Sequence, residues 1–166
     1  MRPIETTAET VQVVVFVLDG NEFGIDITQV REINKLMKIT RVPRVPAYVE
    51  GIINLRGQLV PVVDLRTRLG MTAAAPTKAA RIIVAEIGAR SVGMVVDEVR
   101  EVVRIPRGQI DAGEAVLRGL AMEHVGAVGK IDERLIVLLD LVDVLGAGVA
   151  LGGAEATARA ADKEDA

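Results

Sequence analysis

The chain repeats itself once, and that repeat limits what it can fold into. Phe23-Gly24-Ile25-Asp26-Ile27 leads into Val30-Arg31-Glu32-Ile33, and 69 positions on Val92-Gly93-Met94-Val95-Val96 leads into Val99-Arg100-Glu101-Val102. Leu59-Val60-Pro61-Val62-Val63-Asp64-Leu65 is echoed 76 positions on by Leu135-Ile136-Val137-Leu138-Leu139-Asp140-Leu141. A solenoid unit would be shorter and recur more often. Two related β modules, packed together or side by side, fit the pattern. A module of roughly 60–70 residues is marginal alone, so the two are expected to share buried surface.

The local signals are those of strands. Val11–Leu18 is a β-branched run ending at the turn pair Asp19-Gly20, and Glu22–Ile27 reads as its hairpin partner. Ile52–Leu55 and Gln58–Val63 flank the tight turn Arg56-Gly57. Arg81–Ile87 with Ser91–Val96, and Val125–Ile131 with Arg134–Leu139, repeat the hairpin form. Short helices are expected after Asp64, stopped by Gly70, and after Asp140. No helical stretches alternate with the strands, which disfavours a parallel α/β sheet. Closed small barrels fit better. The divisions expected are a tail over 1–10, a first barrel over 11–74, a second over 75–147 whose last helix packs back on the first, and a tail over 148–166. Both tails are expected to be disordered.

Composition excludes several kinds of chemistry. The chain has no cysteine and a single histidine, His124. Thiolate metal sites, disulfides and cysteine nucleophiles are therefore ruled out, and no metal or cofactor is expected. A net charge of −3 with 2% aromatic residues gives no electrostatic footprint or stacking platform for nucleic acid. No signal core or bilayer-length apolar run is present, so a cytoplasmic protein is expected. Asp64 and Asp140 occupy matching positions and invite comparison with an acid–base dyad, as in a small hydrolase. Their place at strand-to-helix junctions favours capping of backbone N–H groups instead. Gly24 and Gly93 read as points of close backbone approach. Arg56, at a hairpin tip with no acid beside it in sequence, is the most conspicuous candidate for contact with a partner.

The block Gly51-Ile52-Ile53-Asn54-Leu55-Arg56-Gly57, followed by Val60-Pro61-Val62-Val63-Asp64-Leu65-Arg66, resembles the bacterial chemotaxis coupling protein family, CheW. The segments around Gly24 and Gly93 fit the same family, and the resemblance runs from about Val11 to Leu145. It implies a mainly β fold: two SH3-like five-stranded barrels packed through a hydrophobic seam, with short helices. It implies a non-enzymatic adaptor joining the cytoplasmic tip of methyl-accepting chemoreceptors to the regulatory domain of the chemotaxis histidine kinase, in arrays at the inner membrane. A scaffold for a non-flagellar receptor–kinase pathway is the alternative. Receptor contact is expected at Val30, Glu32, Arg56, Ile82 and Val102. Kinase contact is expected at Ile110 and Val116, in an insert lacking the aromatic and basic residues of some relatives. Gly51 and Gly57 are expected to serve backbone geometry.

Overall fold

Strand-forming valine and isoleucine dominate the core, and half of all residues are hydrophobic. The computed structural model describes residues 9–112 and 124–146. The tails beyond them and Val116 lie outside the described residues. The strands are β1 (Thr10–Leu18), β2 (Asn21–Asp26), β3 (Val30–Lys35), β4 (Val49–Leu55), β5 (Gln58–Asp64), β6 (Arg81–Ile87), β7 (Arg90–Val96), β8 (Glu98–Pro106), β9 (Ile110–Ala112), β10 (Val125–Ile131) and β11 (Arg134–Leu139). One α-helical turn, α1 (Leu65–Arg68), follows β5, and a wide helical turn (Val142–Gly146) follows β11. The mainly β architecture with few short helices is as expected. β1 starts at Thr10, which the expected tail had included.

Sequence order is not preserved in space. One sheet runs β3-β6-β7-β5-β4, the other β8-β1-β2-β11-β10-β9. Each repeat lends its opening hairpin to the other: β1–β2 joins β8 to β11, and β6–β7 joins β3 to β5. The division expected at residues 74 and 75 is therefore not the division between the sheets. The two orders correspond strand for strand, β3 to β8, β6 to β1, β7 to β2, β5 to β11 and β4 to β10. Even the parallel ladders match, Val62 beside Gly93 and Leu138 beside Gly24. A bridge between Thr40 and Ile52 closes the first sheet. β9, the bent continuation of β8, closes the second by pairing with β10.

The exchanged strands are buried on both faces, which is why they read as unbroken apolar runs. On β6, Ile82 and Val84 fill the first barrel with Ile53, Leu55, Val60 and Val62. Their neighbours Ile83 and Ala85 face the seam. On β1, Val13 and Val15 fill the second barrel with Val103, Ile105 and Ile136, while Val14, Phe16 and Leu18 face the seam. Leu65 after β5, and Leu141, Val144 and Leu145 after β11, close the same seam cluster. Each large apolar side chain so buried contributes about 1.5–3 kcal/mol.

Glycine is needed where strands cross most closely. A Cβ on Gly24 would lie 2.3 Å from a methyl of Val13, and one on Gly93 3.0 Å from a methyl of Ile82. At Gly51, with φ +151°, a Cβ would stand 2.1 Å from the Thr40 carbonyl oxygen, at the bridge that closes the barrel.

Since each half lacks a hairpin of its own barrel, a chain split within the 71–80 linker is expected to give two fragments that are unfolded alone and regain β structure on mixing. Circular dichroism of the separate and combined fragments checks this. A cooperative melt from either fragment alone contradicts it.

Candidate functional site

β3 and β8 are the terminal strands of their sheets, so one backbone edge of each is left out of the ladder. Cross-strand neighbours share a face of the sheet. Val30 pairs with Ala85 and Ile33 with Ile83, whose side chains face the seam, so Val30 and Ile33 border the seam from the first barrel. Val102 pairs with Val14 and borders it from the second. Val30 is partly buried against the seam cluster. Ile33 and Val102, equivalents in the repeat, are 39% and 48% exposed. Leu59 and Leu135, also equivalents, are 65% and 62% exposed at the starts of β5 and β11. The sequence reading missed both leucines, although their matching positions just after a hairpin turn were a usable signal.

Glu32 alternates with Ile33 and meets Arg56 on the other face of β3. The Arg56 guanidinium donates two bonds to the Glu32 carboxylate, one of them from Nη1 to Oε1 at 3.2 Å. Asn34 Nδ2 adds a third at 3.2 Å. Arg56 therefore has an acid partner, contributed by a strand 24 residues away, which inspection of its own turn could not reveal. It holds φ 54° with Gly57 at φ 89°, the paired left-handed geometry of a tight hairpin turn. The Gly57 amide is bound by Asn54 Oδ1 at 2.7 Å. Hydrogen bonds from Arg56, then Asn34, and the nearby positive charge hold the Glu32 carboxyl below its usual range, against a smaller desolvation effect. The arginine is 64% exposed, so it remains open to a partner on its outer side. Beside this pair, Arg31 Nη1 donates to Gln58 Oε1 and to Ser91 Oγ at 2.7 and 3.0 Å.

Ile82 is the exception among the expected receptor contacts. Its side chain is fully buried inside the first barrel, where it braces β6 and presents nothing outward. Ile110 is half-buried on β9 and packs against the second barrel's core. Asp64 and Asp140 lie on different sheets. Asp64 accepts the Thr67 hydroxyl at 2.8 Å and makes no bond to a helix N–H, so the expected backbone cap is absent there. Asp140 does cap, accepting from the Asp143 amide at 3.2 Å. His124 pairs with Asp143 at 2.8 Å.

A second ion pair ties the seam together. Arg66 on α1 donates to Asp97 from Nε and Nη2 at 2.9 and 2.7 Å. Asp97, where the chain passes from β7 into β8, also accepts the Asp19 amide at 2.8 Å. Arg66 hydrogen bonds hold the Asp97 carboxyl below the usual aspartate range, outweighing desolvation. No group of three or more potential metal ligands occurs among the described residues. No helix among them is long and apolar enough to cross a membrane.

Comparison with known proteins identifies the family. Residues 12–148 match the family described as CheW-like domain. The chain belongs to the CheW-like family. The chemotaxis protein CheW of Klebsiella aerogenes is 34% identical over 131 residues, covering 79% of each chain. That of Bacillus subtilis is 35% identical over 134 residues, covering 81% of this chain and 86% of the relative. The crystal structure titled scaffolding protein TtCheW, from Thermoanaerobacter tengcongensis, superposes with a TM-score of 0.74 at 35% identity, covering 79% of this chain and 89% of its own. The two relatives are named as chemotaxis proteins and the crystal structure as a scaffolding protein, and this chain shares that structure's fold along most of its length.

Two measurements follow. In an Arg56→Gln variant, the Glu32 carboxyl is expected to titrate higher than in the parent, as followed by side-chain NMR; an unmoved midpoint contradicts the pairing. Asp97 has a depressed folded pKa, so its stabilising effect is complete above its unfolded value of about 4 and is lost as pH falls through the folded value. Asp97→Asn is expected to lower the melting temperature at neutral pH and to lessen its dependence on acid. An acid limb as steep as in the parent contradicts this.

Proposed function

We propose that this chain is an adaptor that couples the cytoplasmic tip of methyl-accepting chemoreceptors to the regulatory domain of the chemotaxis histidine kinase. Membership of a chemotaxis scaffold family supports the reading. The observation that carries it is the β3 edge: partly buried Val30 and exposed Ile33 beside the seam, with Arg56 held outward by Glu32 on the adjoining face. A receptor tip built from helices presents an apolar stripe flanked by charge, and an apolar rim with a fixed cation suits such a surface. Arg56 gives its inner N–H groups to Glu32 and offers its outer ones to a receptor carboxylate or to carbonyls at a helix end. Glu32 thus orients Arg56 and is not itself the main receptor contact. Val102 extends the rim from the second barrel, and Leu59 lies next to the Arg56 turn.

The kinase side is assigned to the ends of the barrels, with Ile110 on β9 as its one described residue. The chain makes and breaks no bond. By binding one arrangement of receptor and kinase more tightly than another, it shifts their shared equilibrium, and receptor change is transmitted as geometry. The place of action is the cytoplasmic face of receptor arrays.

Arg56→Glu is expected to cut retention of a receptor cytoplasmic fragment at least about tenfold, since a rim charge of the wrong sign opposes docking. A Glu32→Arg/Arg56→Glu exchange re-forms an ion pair and keeps the fold while receptor retention stays low. Undiminished retention by both variants, measured by pull-down against the parent, contradicts the assigned site.

A further inference from the structure

The two barrels differ sharply in charge at one place. Lys35 at the end of β3 stands directly opposite Arg81 at the start of β6. In the second barrel, the equivalent pair is Arg104 opposite Gln12. Like charges placed opposite each other on a sheet oppose pairing, so the first barrel carries a repulsion that the second avoids by using glutamine. Arg81 directs Nη1 to the carbonyl oxygens of Lys78 and Ala80, at 3.0 and 2.8 Å, and meets no carboxylate among the described residues.

The cationic character continues along the chain. Lys35, Lys38, Arg41 and Arg44 recur at every third position and all are exposed. None of the four makes an ion pair or side-chain hydrogen bond with a described residue. From Leu36 to Val49 the sequence contains no acid. Glu32, the one acid of β3, is occupied by Arg56.

This loop is also fixed in place. Leu36, Met37 and Ile39 pack into the mouth of the first barrel. Thr40 exchanges two backbone hydrogen bonds with Ile52, at 2.9 and 2.8 Å. The cations thus follow one another along a segment that is anchored to the first barrel as far as Thr40, in a protein whose net charge is −3. Exposed like charge with no acidic partner among the described residues favours contact with a complementary charge.

We infer that the row formed by Lys35, Lys38, Arg41 and Arg44, with Arg81 beside it, is a docking surface for an acidic segment of a partner polypeptide. These cations alone carry the inference, which does not rest on Arg56. Nucleic acid is disfavoured because no aromatic side chain stands among the cations to stack on bases. A bilayer is disfavoured because the loop's large apolar side chains Leu36, Met37 and Ile39 point into the barrel, leaving none of them to enter lipid.

The test uses the full chain and a short fluorescein-labelled polyglutamate peptide, followed by anisotropy at low and at physiological salt. Binding is expected, weakening as salt rises. A Lys35→Gln/Lys38→Gln/Arg41→Gln/Arg81→Gln variant is expected to bind about tenfold less tightly. Arg104→Gln, at the equivalent place on the second barrel, is expected to bind as the parent does. Arg81→Gln alone, which copies Gln12, is expected to weaken binding while leaving the melting temperature the same or higher. Absence of peptide binding, equal binding by the quadruple variant, or capture by phosphatidylserine vesicles without capture of the peptide would overturn the inference.

Discussion

Burial of two hairpins on both faces is the constraint from which the other features follow. β1–β2 and β6–β7 each serve as wall of one barrel and as floor of the seam. Val13 and Val15 face one way and Val14 and Phe16 the other. Ile82 and Val84 are set against Ile83 and Ala85 in the same manner. Neither repeat can complete a core without the other's hairpin. The duplication therefore produces one interlocked unit in which each repeat is incomplete, and the seam is the largest of the three apolar clusters among the described residues.

The same arrangement creates the surface. Placing a foreign hairpin at the centre of each sheet pushes β3 and β8 to the edges. An edge strand beside a shared core has one face on the seam and another near the barrel mouth. On β3 these faces carry the apolar rim and the Glu32–Arg56 pair within a few residues of each other. Edge strands invite unwanted pairing, and both are rich in charge: Arg31, Glu32 and Lys35 on β3, and Glu98, Arg100, Glu101 and Arg104 on β8. The two copies have since diverged. Where the first barrel sets Arg31 against Gln58 and Ser91, the second sets Arg100 and Arg134 around Glu22, at 3.2 and 2.9 Å.

Much of this was legible in the chain. The hairpins were readable because their turns, Asp19-Gly20, Arg56-Gly57 and Asp132-Glu133, are local signals between β-branched runs. The repeat announced a pair of modules, and the position of Arg56 at a tip made it a candidate for contact with a partner. What could not be read was everything set by distant strands. The parallel pairings of β2 with β11 and β5 with β7 leave no local trace, so the chain seemed to divide in the middle. Ile82 lies in a run that is apolar at every position, and alternation cannot say which face such a residue takes. The carboxylate that meets Arg56 comes from β3, and the failure of Asp64 to cap reflects its preference for the Thr67 hydroxyl.

Native-state hydrogen exchange tests the interlocked core most directly. If the two barrels are one cooperative unit, the amides of Val14 and Val15 on β1 and of Ile83 and Val84 on β6 exchange only by global unfolding, with the same free energy and the same denaturant dependence. If the amides of one hairpin open at markedly lower free energy while the other stays protected, the barrels unfold separately, and the account of reciprocal support is wrong.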